Sequence, residues 1–149
     1  MKVMMAIGNA FMRMMLASPL HVLMSGSTLI LRVRGLKSGR IYAVPVNYVH
    51  IEKRLLITSQ RDRTWWRNLL GGAPVEVILQ GKRFNARAEA YSDPARVLPL
   101  FTDYVRAAPS VARYFEIGLD AAGLPDPTDL ARAARDRVMV VAVLPSDLE

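Results

Sequence analysis

The 149-residue sequence contains no cysteine. Disulfide bonds, thiolate metal sites and thiol nucleophiles are therefore excluded. Histidine is almost as scarce, with only His21 and His50. Neither sits in an HxH or HExxH pattern, so no protein-built transition-metal site is expected. There is no GxSxG, and neither histidine has a recognisable nucleophile near it, which argues against a serine-hydrolase mechanism. The acidic residues are scattered over caps and turns, so paired-carboxylate catalysis has no support either. An uninterrupted membrane span is also missing, because Lys2, Asn9 and Arg13 break the apolar run at the N-terminus. That run lacks the small-residue cleavage site of a signal peptide. One cytoplasmic domain over residues 1–149 is the expectation from this length. An enzyme with so few acid–base groups would draw its chemistry from a cofactor.

What the sequence does have is positive charge and apolar mass. Twenty Lys and Arg stand against 13 Asp and Glu, for a net charge of +7. Such a balance favours anionic partners, whether phosphorylated ligand, nucleic acid or acidic lipid, with plain solubility as the bland alternative. The arginines are spread over several elements instead of one stripe, so nucleic acid is not expected as a partner. A hydrophobic share of 52% excludes a disordered chain. Seven of the eight methionines fall within residues 1–24. That segment reads as a helix over 2–17 followed by a short one begun by Ser18-Pro19. Its apolar residues lie on nearly every face. They call for cover from the same domain or a second copy, or for peripheral contact with a membrane surface or a lipophilic molecule. Monomer and homodimer both remain open.

From residue 27 the period changes. Ser27 to Arg34 alternates Leu29, Leu31 and Val33 against Ile30, Arg32 and Arg34, the pattern of a half-buried strand. Gly35 and Gly39 bracket a basic turn, with positive φ expected at glycine. Arg40 to His50 is a second strand. Pro45 inside it removes a backbone donor, which predicts an edge or a bulge there. Arg54 to Ser59 is the third strand, after a turn at Glu52-Lys53. The charged loop from Gln60 to Arg63 leads to a helix of about two turns, Trp65 to Leu70, with Asp62 or Thr64 as cap and Gly71-Gly72 as stop. Pro74 to Gln80 and Arg83 to Tyr91 alternate as strands four and five about a turn at Gly81-Lys82. Asp93-Pro94 starts a helix to about Ala107, and Asp126-Pro127 starts a shorter one carrying Leu130 to Ala134. Arg137 to Leu144 is almost wholly apolar, so it should be buried on both faces and central. Short turns between strands imply antiparallel pairing. The fold class expected is α+β, mainly β: a six-stranded antiparallel, partly open barrel with peripheral helices.

Two stretches can bind an anion. Successive amides in a Gly-bracketed turn can form a nest, and Lys37, Ser38 and Arg40 add an ammonium, a hydroxyl and a bidentate fork. A solvated hairpin is the plainer alternative. In the second stretch, Thr58 and Ser59 end a strand, while Arg61 and Arg63 place charge near a helix N-terminus. Adjacent Trp65 and Trp66 cannot both face inward, so one should be core while the other can wall a pocket.

Together, GLKSGRIYAVPVNYV and RTWWRNLLGGAPVEV resemble the deazaflavin-dependent nitroreductase family, the flavin/deazaflavin oxidoreductases. The resemblance is strong over about residues 27–91 and loose elsewhere. It implies a split β-barrel and coenzyme F420, with FMN as the alternative cofactor. It also implies hydride transfer to a small-molecule acceptor such as a quinone, nitroaromatic or activated double bond. By this resemblance Lys37, Ser38 and Arg40 hold the phosphate and acidic tail. Tyr42, Val44, Pro45, Val46 and Asn47 line the ring, and Thr58, Ser59, Gln60, Arg61, Trp65, Trp66 and Asn68 complete the site. The family's late tyrosines correspond most nearly to Tyr114, a candidate proton donor, and then to Tyr104. Where the nitroreductase branch has an arginine five residues after the turn lysine, this chain has Tyr42. A non-catalytic flavin-, haem- or lipophile-binding barrel is the rival reading.

Overall fold

Alternation along the strands sorts the side chains into two cores. The computed structural model describes residues 28–145; the expected helices over 2–17 and after Ser18 lie outside them. Six strands form: β1 (Thr28–Arg34), β2 (Ile41–Ile51), β3 (Arg54–Gln60), β4 (Ala73–Leu79), β5 (Lys82–Tyr91) and β6 (Arg137–Val143). A 3-10 helix (Trp65–Leu69) precedes β4, and the helices α1 (Pro94–Ala107), α2 (Val111–Tyr114) and α3 (Pro127–Ala134) lie between β5 and β6. Every strand pair is antiparallel, in the order β1-β2-β3-β6-β5-β4.

The sheet is a closed barrel, where the sequence suggested a partly open one. A short ladder closes it, pairing Ile30–Leu31–Arg32 with Ile78–Val77–Glu76. Arg32 also bonds Glu76 across that seam at 3.1 Å. Inside lie Leu29, Leu31, Val33, Leu55, Ile57, Val77, Ala88, Val138 and Val140, all buried. The intervening residues of β2, β3 and β6 face out. Val49, Leu56 and Met139 form a second core with Val97, Phe101, Tyr104 and Val105 of α1 and Leu130 of α3. β6 is therefore buried on both faces between β3 and β5, as its unbroken apolar run implied.

One gap interrupts this regularity. β2 pairs with β3 only over Tyr48–Ile51. Among the described residues, Ile41–Asn47 pair with β1 alone and Thr58–Gln60 with β6 alone. Pro45 lies in this half-paired stretch, opposite Ile30, so its missing N–H faces no partner strand among the described residues. The barrel is thus split at one end. The antiparallel order brings the 35–40 turn, the end of β3, the 3-10 helix and the start of β6 to that same end.

Two turns differ from expectation. Only Gly39 of the basic turn has positive φ. Gly35 is needed for space, since a Cβ there would meet the Tyr42 ring at 2.7 Å and Ser38 Oγ at 2.9 Å. The β4–β5 turn is Gln80-Gly81, both at positive φ, and Lys82 already belongs to β5. The tryptophan segment is a single 3-10 helix instead of two α-turns. Thr64 holds its cap position without a side-chain cap bond.

Candidate functional site

The basic turn is held from within and from one side. Gly35 N–H donates to Arg40 O at 2.7 Å and Gly39 N–H to Gly35 O at 2.9 Å. Arg40 N–H donates to Ser38 Oγ at 3.2 Å, and that hydroxyl shares a 3.1 Å bond with Tyr42 Oη. From the 3-10 helix, Asn68 Oδ1 accepts the Leu36 N–H at 2.9 Å while its Nδ2 donates to Trp65 O. Asn68 is therefore a clasp that fixes the turn against the tryptophan helix. The amides of Gly35, Leu36, Gly39 and Arg40 all have protein partners, so a full nest is not available to a ligand. The amides of Lys37 and Ser38 remain, with the exposed side chains of Lys37 and Arg40. Neither cation has a carboxylate at ion-pair distance among the described residues.

Below the turn, Val46 is buried in the barrel core, with Val44 packed against it. Alternation sends Pro45 and Asn47 outward, and Asn47 Oδ1 accepts from Thr28 Oγ1 at 3.3 Å. Both tryptophans meet the barrel core: Trp66 is buried and Trp65 half-buried against it. The sequence allowed only one to do so. The tight 3-10 turn, wedged between the barrel end and the basic turn, accommodates both. Trp66 Nε1 is buried with no hydrogen-bond partner among the described residues.

At the end of β3, Ser59 is buried and donates to Gln60 O, while Gln60 is exposed. Arg61 turns Nε and Nη2 to the protein's own backbone. Its guanidinium donates to Ser92 O at 2.8 Å, Arg137 O at 3.1 Å and Arg135 O at 3.3 Å. It ties the end of β3 to the segments entering α1 and β6.

A second cluster lies on the outer face of the same end. Thr58 Oγ1 accepts from Arg137 Nε at 3.1 Å. The Arg137 guanidinium stands 5.1 Å from the Phe115 ring centre, and Phe115 packs edge-to-face with Tyr114 and Phe101. Burial pushes the Tyr104 hydroxyl up to about 12, with Arg137 acting in the opposite direction. Burial also lowers the Arg137 pKa, opposed by the nearby tyrosines and by Asp136 and Asp62. The expected Tyr114 belongs to this cluster and is half-exposed. Among the described residues no hydrogen bond or ring contact joins it to the basic turn. Arg137 was missed in the sequence, where a single charge opening an apolar strand reads as its solvated end. The only hint was that the strand is buried on both faces.

Among the described residues, no group of side chains could hold a metal ion. No helix there is long and apolar enough to cross a membrane.

No protein-family model matches the chain. No curated protein matches its sequence. Solved structures do match it. The haem storage protein HutZ from Vibrio cholerae is 12% identical, with 82% of this chain and 84% of that chain covered and a TM-score of 0.51. A general stress FMN/FAD-binding protein from Xanthomonas citri is 18% identical, with coverage of 81% and 76% and a TM-score of 0.49. A protein described as an F420 reductase is 16% identical, with coverage of 85% and 93% and a TM-score of 0.43. At such identities the likeness shows the fold alone. The match to HutZ, with its TM-score of 0.51, and the barrel's own strand order point to the split β-barrel.

Proposed function

We propose that the protein is a two-electron reductase that uses reduced coenzyme F420. The acceptor would be an electron-poor molecule such as a quinone, a nitroaromatic or an activated double bond. The observation that carries this reading is the clasped turn: two exposed cations, Lys37 and Arg40, beside an edge of β2 that pairs with no strand among the described residues. The donor set suits a phosphate followed by carboxylates, because among the described residues both cations lack acidic partners and two turn amides have no protein acceptor. Lys37, Arg40 and the amides of Lys37 and Ser38 hold the phosphate and tail. The backbone edge at Ile41–Asn47, left without a second strand among the described residues, supports the flat ring, with Trp65 and Trp66 beneath the turn. When bound, the deazaflavin supplies the hydride. The chain orients the ring, keeps water from its reactive face and provides a proton through Tyr114 or water.

The test is a titration of the protein with oxidised F420 and, in parallel, FMN, followed by tryptophan fluorescence. Saturable F420 binding, weak FMN binding and oxidation of reduced F420 by a quinone support the proposal. Tight FMN binding instead makes this a flavin protein. Binding without turnover across a quinone panel makes it a carrier. Lys37→Ala should weaken F420 binding about tenfold, and unchanged affinity would move the anion site elsewhere.

A further inference from the structure

Two arginines meet at the split end of the barrel, and they are used differently. Arg61 gives its guanidinium to three carbonyls. Arg137 uses one donor, Nε, on Thr58 Oγ1. Its two terminal amino groups have no acceptor, and no carboxylate reaches ion-pair distance, among the described residues. Asp62 and Asp136 act on it electrostatically without forming an ion pair. Arg137 is half-buried, its guanidinium lies beside Phe115, and Tyr104 and Tyr114 act on it electrostatically. The Tyr104 hydroxyl also lacks a hydrogen-bond partner among the described residues. Water still reaches the Arg137 amino groups, because Trp66 Nε1 is the one buried, unpartnered side-chain nitrogen or oxygen among the described residues, and a carboxylate would exchange that water for a charge-assisted pair with a group that stays charged at any physiological pH.

The unmet donors define what would satisfy them. A planar fork with two parallel N–H groups matches a carboxylate in bidentate geometry. Two phenols can donate to the same oxygens. Phe115 lies against the fork and the half-exposed Tyr114 packs edge-to-face on it, giving aromatic surface suited to a flat, unsaturated body. A phosphate dianion fits less well, because there is one cation and two acids in its field.

We propose that Arg137, with the hydroxyls of Tyr104 and Tyr114, forms a subsite for the carboxylate of a planar, unsaturated molecule. Resting on the reductase reading above, that molecule is the electron acceptor, which would therefore be an acid.

The experiment is calorimetric titration of the full chain, without cofactor, using 4-nitrobenzoate and its neutral methyl ester. The acid should bind saturably and the ester at least tenfold more weakly. Arg137→Lys keeps the charge but loses the fork, and should weaken the acid at least tenfold. Lys37→Ala, at the other anion site, should leave it unchanged. Tyr114→Phe, a change at a half-exposed position, should weaken the acid severalfold and carries the test if Arg137→Lys fails to fold. Equal binding of acid and ester overturns the subsite. So does unchanged affinity in Arg137→Lys, or in Tyr114→Phe where Arg137→Lys does not fold, and so does a loss caused by Lys37→Ala. An F420 titration on the same preparation separates the two proposals. Acid binding without F420 binding keeps the subsite and removes the reductase. F420 binding without acid discrimination removes the subsite alone.

Discussion

Replacing Arg61 by methionine should damage stability and spare ligand affinity. Methionine keeps an apolar stem of similar length and removes the fork. The native guanidinium makes contacts of 2.8, 3.1 and 3.3 Å to carbonyl oxygens. The longest is exposed and should contribute little; the other two are partly buried. Hydrogen bonds from a charged donor contribute about 1.5–3 kcal/mol each, nearer the low end when water can reach them, so the loss is about 3 kcal/mol. In urea, with a slope of about 2 kcal/mol/M for a chain of this size, the unfolding midpoint should fall by roughly 1.5 M. Thermal unfolding should move down by roughly 6–12 °C. Affinity for F420, measured where both proteins are folded, should stay within about twofold, because no ligand-facing donor has been removed. A midpoint shift below about 0.3 M would refute the clamp. So would a tenfold loss of F420 affinity at unchanged stability, which would return Arg61 to the ligand site that the sequence suggested.

Three further outcomes can be checked with the same preparations. Asn68→Ala releases the Leu36 amide, an exposed group that water can rehydrate; it should cost only about 1 kcal/mol in urea unfolding yet loosen the turn and weaken F420 binding about fivefold, and a stability loss with full affinity would separate clasp from site. The unfolded chain releases the Tyr104 proton near pH 10, whereas the native chain holds it to about 12, so this residue's stabilisation is complete below pH 10 and falls away between pH 10 and 12. Over that interval the loss is roughly 2–3 kcal/mol, so unfolding curves of Tyr104→Phe should be flatter than wild type by that amount, and parallel curves would contradict it. Pro99 lies inside α1, where it removes an N–H and crowds the preceding turn; Pro99→Ala should raise the thermal midpoint by a few degrees, and a fall would mean that the proline is required for docking on the barrel.

Much of the scaffold was legible because alternation is a local signal. Leu29, Leu31 and Val33 in β1, and Phe84, Ala86, Ala88 and Ala90 in β5, face the interior as their spacing implied. Closure was not legible, since the seam between β1 and β4 is a three-residue ladder between strands distant in sequence. The site was legible in its parts and not in its roles. The basic turn, the end of β3 and the tryptophan helix do meet at one end of the barrel. Yet Asn68 and Arg61, both expected to face a ligand, bind the protein's own backbone. A polar side chain at a strand end looks the same in sequence whether its partner is a ligand or a carbonyl dozens of residues away. Arg137 shows the converse: its lack of a carboxylate partner among the described residues exists only in three dimensions.

β3 and β6 each serve two cores, one through their inward residues and one through their outward residues. Leu55 and Ile57 point into the barrel while Leu56 points to the helices; Val138 and Val140 point in while Met139 points out. Gaining or losing one residue within either strand would exchange these two sets at once, leaving neither core intact. Changes in chain length should therefore be tolerated only at hairpin tips. The tips at Glu52-Lys53 and Gln80-Gly81 are exposed and lie away from the split end. They are the natural places to graft a tag or a fluorescent reporter without disturbing the binding end.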